Sequence, residues 1–98
     1  MRIAPHNIIR HELIGLRVEV VASPHPGYVG IAGRVVDESA KMLYIESGHE
    51  VKAVPKVAAT FRFTLPSGER VEVEGWAIEG RPEDRVKHAA RAVRRRGS

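Results

Sequence analysis

No cysteine occurs in the 98 residues. That absence excludes a disulfide framework, a thiolate zinc site, an iron–sulfur cluster and a cysteine nucleophile. It also suits a reducing compartment. Aromatic rings are few: one Trp, two Tyr and two Phe. A protein that reads single-stranded bases by stacking needs more exposed rings than this. No apolar run approaches the ~18 residues of a membrane span, and Met1–Arg10 has no apolar signal-peptide core. Internal repeats and Gly/Ser linkers are also missing. The expectation is one cytoplasmic domain over residues 1–98 with no membrane contact.

Catalytic patterns are missing as well. His11-Glu12 opens like a zinc-protease H-E-x-x-H helix, but the second histidine would fall on Gly15. His6 and His11 are five apart, which does not align two ligands on one helix face. Ser23, Ser39, Ser47 and Ser67 fall in turn-forming stretches, where serine is ordinary turn chemistry. Glu72 and Glu74 alternate along one strand, as a solvated outer face does. Gly27, Gly30 and Gly33 precede no helix, so they make no dinucleotide fingerprint.

What is present is hydrophobic patterning and unevenly placed charge. Hydrophobic residues make up 43% of the chain, enough for a core. The formal net charge is +4. Residues 1–80 hold nine Lys and Arg against ten acids, whereas the last 18 residues hold seven against two. Six of those seven are arginines, which suit bidentate phosphate contacts. Nucleic acid is the default partner for such an element, and an acidic protein is the alternative. With so few rings, a folded RNA read by shape and phosphate fits best.

The periodicities predict a short helix over about residues 7–14, capped by Asn7, with Ile8, Ile9 and Leu13 apolar. Its apolar face either caps the body or, through Ile8, Ile9 and Ile14, docks a partner. Strands follow at Arg17–Ala22 and Val29–Val36. Two hairpins are expected around Ser47–Glu50 and Pro66–Glu69. The apolar phase shifts by one residue at Gly75, as at a β-bulge. Pro82 then opens an expected basic helix to about residue 95, with Val86, Ala89, Ala90 and Val93 as its apolar stripe. The fold expectation is mainly β: a small, strongly bent antiparallel barrel of five to seven strands over about residues 17–79, with a terminal helix at each end.

Four separated blocks carry a more specific likeness. They are Arg10–Leu16, Val29–Glu38, Val54-Pro55-Lys56 followed by Phe61-Arg62-Phe63, and Gly80–Arg85. In this order they resemble archaeal ribonuclease P protein component 1, across residues 7 to 87. The resemblance implies an Sm-like barrel. It implies a non-catalytic, RNA-binding protein subunit of ribonuclease P, the ribonucleoprotein endonuclease that removes 5′ leaders from precursor tRNA. The chain would help stabilise the RNA subunit, which performs the chemistry with its own Mg, so no cofactor is expected on the chain itself. Implied partners are the RNA, a small zinc-ribbon protein subunit, other RNase P proteins and, indirectly, precursor tRNA. By position, Lys56, Arg81, Arg85 and Lys87 would face RNA, with Arg10, His11 and Arg62 as further candidates. The basic tail adds Arg91, Arg94, Arg95 and Arg96. Ile8, Ile9, Leu13 and the strand Gly30, Ile31, Ala32, Gly33, Arg34 would form the protein-partner face. Two other readings stay open: a ring-forming Sm-type RNA chaperone, and a protein-interaction module whose cationic tail meets an acidic partner.

Overall fold

The computed structural model of the chain describes residues 3–85 and 87–96; the side chains of Lys87, His88, Ala90 and Arg96 lie outside that description. Seven strands form: β1 (Arg17–Ala22), β2 (Ala32–Glu38), β3 (Met42–Ser47), β4 (Glu50–Pro55), β5 (Thr60–Thr64), β6 (Arg70–Glu74) and β7 (Val93–Arg96). They make one antiparallel sheet in the order β4-β3-β2-β1-β5-β6-β7. Alternation decides which face turns inward. Val18 and Val20, Leu43 and Ile45, Phe61 and Phe63, and Val71 and Val73 are all buried, while their neighbours point outward.

No α-helix covers the apolar face among the described residues, so the sheet must bend over itself. Register shifts between Val20 and Ala22 and between Val35 and Asp37 supply bends. Gly33 permits a close approach of β2 to β3: a Cβ there would lie 1.8 Å from the Glu46 carbonyl oxygen. Phe61 and Phe63 sit at the centre with ring centroids 6.1 Å apart, and full burial of each contributes roughly 1.5–3 kcal/mol.

Several expectations need correction. The sheet is not a closed barrel, because its ladder ends at β4 on one side and β7 on the other. The N-terminal helix reduces to a single 3-10 turn, Ile8–Arg10, and His11 is already extended. Asn7 makes no side-chain cap there; its Oδ1 accepts the Ala4 N–H instead, at 2.8 Å. The C-terminal helix is absent too. A 3-10 turn, Pro82–Asp84, and a 3-10 segment, Lys87–Ala92, lead into β7. Ala89 and Ala92 are buried three positions apart, the stacking interval of a 3-10 helix. Val86, expected on the helical stripe, lies outside the described residues. The physical reason for β7 is the edge of β6: Val93–Arg96 pairs with Arg70–Val73 and occupies that edge.

The hairpins form as expected, though the first has a tighter loop. Ser47 pairs with Glu50 across Gly48-His49, with Gly48 at φ +65°. The phase shift at Gly75 marks the end of β6 and a 3-10 turn, Gly75–Ile78, rather than a bulge. Any side chain at Gly75 would collide with the Lys56 carbonyl, 1.5 Å from an added Cβ.

Candidate nucleic-acid interface

Where β2 ends, Glu38 turns inward and gathers two cations. Lys56 follows Pro55 in the 3-10 turn Lys56–Ala58, so its side chain leaves the end of β4 and enters the interior. It is fully buried, and Nζ donates to Glu38 Oε1 at 2.9 Å. Arg85 reaches the same oxygen from the C-terminal segment, Nη2 donating at 2.8 Å. Its other nitrogen, Nη1, donates to the carbonyls of Ile9 at 2.8 Å and His11 at 3.0 Å. Both cations also reach the Gly80 carbonyl, at 3.4 and 3.3 Å. Glu38 Oε2 accepts the Leu13 N–H at 3.0 Å.

One carboxylate thus joins the N-terminal turn, the ends of β2 and β4, and the C-terminal segment. Loss of hydration holds both the Lys56 ammonium and the Arg85 guanidinium below their usual pKa ranges, with Glu38 opposing the shift. Sequence reasoning expects Lys56 and Arg85 on the RNA-facing surface. The structure instead buries both, Arg85 at 3% exposure, and turns Lys56 Nζ and the two Arg85 Nη groups to Glu38 and main-chain carbonyls; Arg85 Nε has no partner among the described residues.

Above this cluster lies an open cleft of about 750 Å³. Arg10, His11 and Arg81 line it, with Glu12, Glu38 and Glu83 as its acids. Arg10 and Arg81 are exposed, and His11 is half-buried. Three expected RNA-facing residues therefore meet at one cleft, with the buried pair beside its floor.

The remaining candidates are elsewhere. Arg62 is on the outer face of β5, bonded to Glu72 at 3.0 Å and 3.8 Å from Glu19. Arg91, Arg94 and Arg95 are exposed, and Arg95 pairs with Glu69 at 2.8 Å. The side chains of Lys87 and Arg96 lie outside the described residues. On the expected protein-partner face, Ile8, Ile9 and Leu13 are core residues, so the turn caps the body and does not present them. Gly30, Ala32 and Arg34 are exposed, while Ile31 and Gly33 are half-buried. Exposed Ile14, Val29 and Val36 supply apolar surface that the structure leaves open in this region.

Sequence reasoning passed over Arg17, Arg70 and Trp76, all exposed. Outward alternation beside Val18 and Val71 was the available signal for the two arginines. Among the described residues, no group of three His, Asp or Glu is placed to hold a metal ion. No helix among them is long and apolar enough to cross a membrane.

Residues 6–88 match the family described as ribonuclease P/MRP, subunit p29. This chain belongs to that family. Curated relatives agree. Ribonuclease P protein component 1 of Methanosphaera stadtmanae is 44% identical over 92 residues, 94% of this chain and 99% of the relative. The protein of the same name from Methanothermobacter thermautotrophicus is 52% identical over 87 residues, 87% of this chain and 92% of the relative. The solved structure of Mth11, a homologue of the human RNase P protein Rpp29, has 48% identity and a TM-score of 0.57, covering 78% of this chain and 99% of its own. For this p29-family chain the resemblance drawn from four sequence blocks therefore holds over most of its length.

Proposed function

We propose that this chain is an RNA-binding protein subunit of ribonuclease P, acting without catalytic residues of its own in the removal of 5′ leaders from precursor tRNA. The observation that carries this reading is the family match over residues 6–88, joined by near-full-length relatives named ribonuclease P protein component 1. In this reading the RNA subunit, with its Mg, supplies the chemistry. The chain supplies a rigid cationic body that lowers the repulsion between folded RNA segments.

The exposed cations Arg10 and Arg81 flank the cleft and form part of the RNA-facing set, with Arg91 and Arg94 as further contacts. Lys56 and Arg85 act indirectly, by fixing the cleft's floor. Of the expected partner strand, Gly30 and Ile31 take the small zinc-ribbon subunit, beside the open apolar surface of Ile14, Val29 and Val36. The complex works in the cytoplasm.

Reconstitution tests the reading. RNase P RNA and the other protein subunits are combined with and without this chain, and precursor tRNA cleavage is followed at limiting Mg. Adding the chain is expected to raise the cleavage rate. Equal rates at every Mg concentration would overturn the assignment. Arg10→Ala/Arg81→Ala should weaken binding to the RNA while leaving the unfolding free energy within about 0.5 kcal/mol of wild type, as for exposed sites away from the core.

A further inference from the structure

The register of the strands brings together arginines that are far apart in the chain. Arg34 on β2 lies directly opposite Arg17 on β1. Arg17 lies opposite Thr64 on β5, and Thr64 lies opposite Arg70 on β6. The same register continues to the backbone of Arg96 on β7 and, on the far side of Arg34, to the exposed Glu46 on β3, which ends the run of arginines. Arg17, Arg34 and Arg70 are exposed on the outer face, since their neighbours Val18, Val35 and Val71 point into the core. With strands about 4.8 Å apart, the row from Arg34 to Arg70 spans about 14 Å.

The neighbouring row is different. There Glu19, Arg62 and Glu72 alternate in sign, and Arg62 hydrogen-bonds Glu72 and lies 3.8 Å from Glu19. In the arginine row, by contrast, Arg17 and Arg70 enter no ion pair among the described residues. Like charges placed directly opposite each other on a sheet are destabilising. Arg34 is held in place by donating to the Gly15 carbonyl at 2.9 Å. Beside Arg17 and Arg70 runs a shallow groove of about 230 Å³, where Ala32, Gly33 and Thr64 keep the floor low; Val18 and the paired Glu19 and Arg62 complete its lining.

We propose that this arginine row is a second RNA-binding surface of the chain, taking the phosphate backbone of a paired RNA segment. The proposal deepens the ribonuclease P reading and rests on it. Guanidinium forks match phosphate bidentately, and a fixed line of them suits a regularly spaced polyanion. No aromatic ring lines the groove, so it holds backbone and does not stack bases. Paired RNA, recognised through phosphates and shape, is the ligand class that fits. An acidic protein surface fits less well, because the apolar side chains lining the groove are the buried Val18 and the small Ala32, which make a poor anchor.

The test uses the full chain and a perfectly paired RNA hairpin of arbitrary sequence, titrated over a range of salt. Arg17→Gln/Arg70→Gln is expected to bind about tenfold more weakly, with a log–log salt slope smaller by roughly 1.5, as for two lost phosphate contacts. Lys41→Gln/Lys52→Gln removes the same charge near β3 and β4 and is expected to stay within about twofold of wild type. Arg17→Lys/Arg70→Lys should keep the salt slope and lose part of the affinity. The thermal midpoint of the glutamine variant should not fall, since unpaired like charges are removed.

Equal affinity and slope in the glutamine variant and wild type would overturn the proposal. Equal losses in both charge-removing variants would also overturn it, since net charge alone would then explain binding. A wild-type chain that ignores the hairpin but binds polyglutamate through Arg17 and Arg70 would assign the row to an acidic protein instead. None of these outcomes touches the subunit reading, which stands or falls on the reconstituted cleavage rate.

Discussion

Two cations and one carboxylate share the interior beside Glu38, so removing the carboxylate and removing a cation are unequal changes. Glu38→Gln leaves the Lys56 ammonium and the Arg85 guanidinium buried together without their hydrogen-bonded counter-charge, with only the more distant Glu79 and Glu83 to offset them. It is expected to cost about 3–5 kcal/mol, measured by denaturant unfolding. Lys56→Met removes one of the two cations and leaves a balanced Glu38–Arg85 pair, so a cost under about 2 kcal/mol is expected. If the two variants proved equally unstable, Glu38 would not be the centre of the cluster. The lowered Lys56 value also sets a pH dependence. The folded chain releases that proton at a lower pH than the unfolded chain does. Between those two values the unfolded state binds more protons, so wild-type stability rises with pH there. Below the lowered value both states hold the proton and the effect vanishes. Relative to Lys56→Met, wild type should therefore gain stability as pH climbs towards the usual lysine range; a flat difference would mean that burial does not disfavour the ammonium. Lys56 and Arg85 were legible as important residues, yet not as buried ones. Their partner Glu38 is 18 and 47 positions away, and no local pattern announces such a pair.

At the scale of elements, strands with clean alternation were readable and segments decided by tertiary pairing were not. Arg17–Ala22 and the β5–β6 hairpin follow from period-two patterning and turn residues. The last strand does not, because Ala89, Ala90 and Val93 carry a helical spacing in the sequence. Occupation of the β6 edge outweighs that weak propensity, and arginines that look like one face of a helix become alternate positions on a strand. Hydrogen exchange distinguishes the two. Slow exchange is expected in alternating amides across Val93–Arg96, in step with β6; uniform protection from residue 83 onward would indicate a helix. The Arg95–Glu69 pair on this strand is exposed, with the Arg95 side chain at 71%. Arg95→Ala should therefore cost only about 0.5 kcal/mol. At the opposite edge, β4 exposes Glu50, Val51, Lys52 and Ala53, and its two charged residues discourage pairing with another chain.

For the molecule as a whole, the core joins both ends of the chain to one sheet. Ile8 and Ile9 near the start and Ala89 and Ala92 near the finish belong to the same buried cluster as Phe61 and Phe63. Unfolding should thus be a single event, with Trp76 fluorescence and far-ultraviolet circular dichroism giving coincident curves. Separated curves would mean that the terminal segments open on their own. The charge distribution also changes meaning at this scale. Counted along the sequence, positive charge accumulates in the last 18 residues. Folded, the sheet assembles Arg17, Arg34 and Arg70 from the nearly neutral remainder into a second cationic region.

The reach of Arg85 to Ile9, 76 positions back, has a consequence for how the protein is made. On a ribosome the chain emerges from its N-terminus, so Ile9, Glu38 and Lys56 are all outside the exit tunnel well before Arg85. Until then the carbonyls of Ile9 and His11 lack their guanidinium partner, and the first turn rests on its apolar contacts alone. The sheet can assemble early from its hairpins, but closure of its capped end waits for Arg85 to emerge. A nascent chain stalled before residue 85 would carry its first turn without the Arg85 clasp, and the emergence of Arg85 is the moment at which that clasp can form.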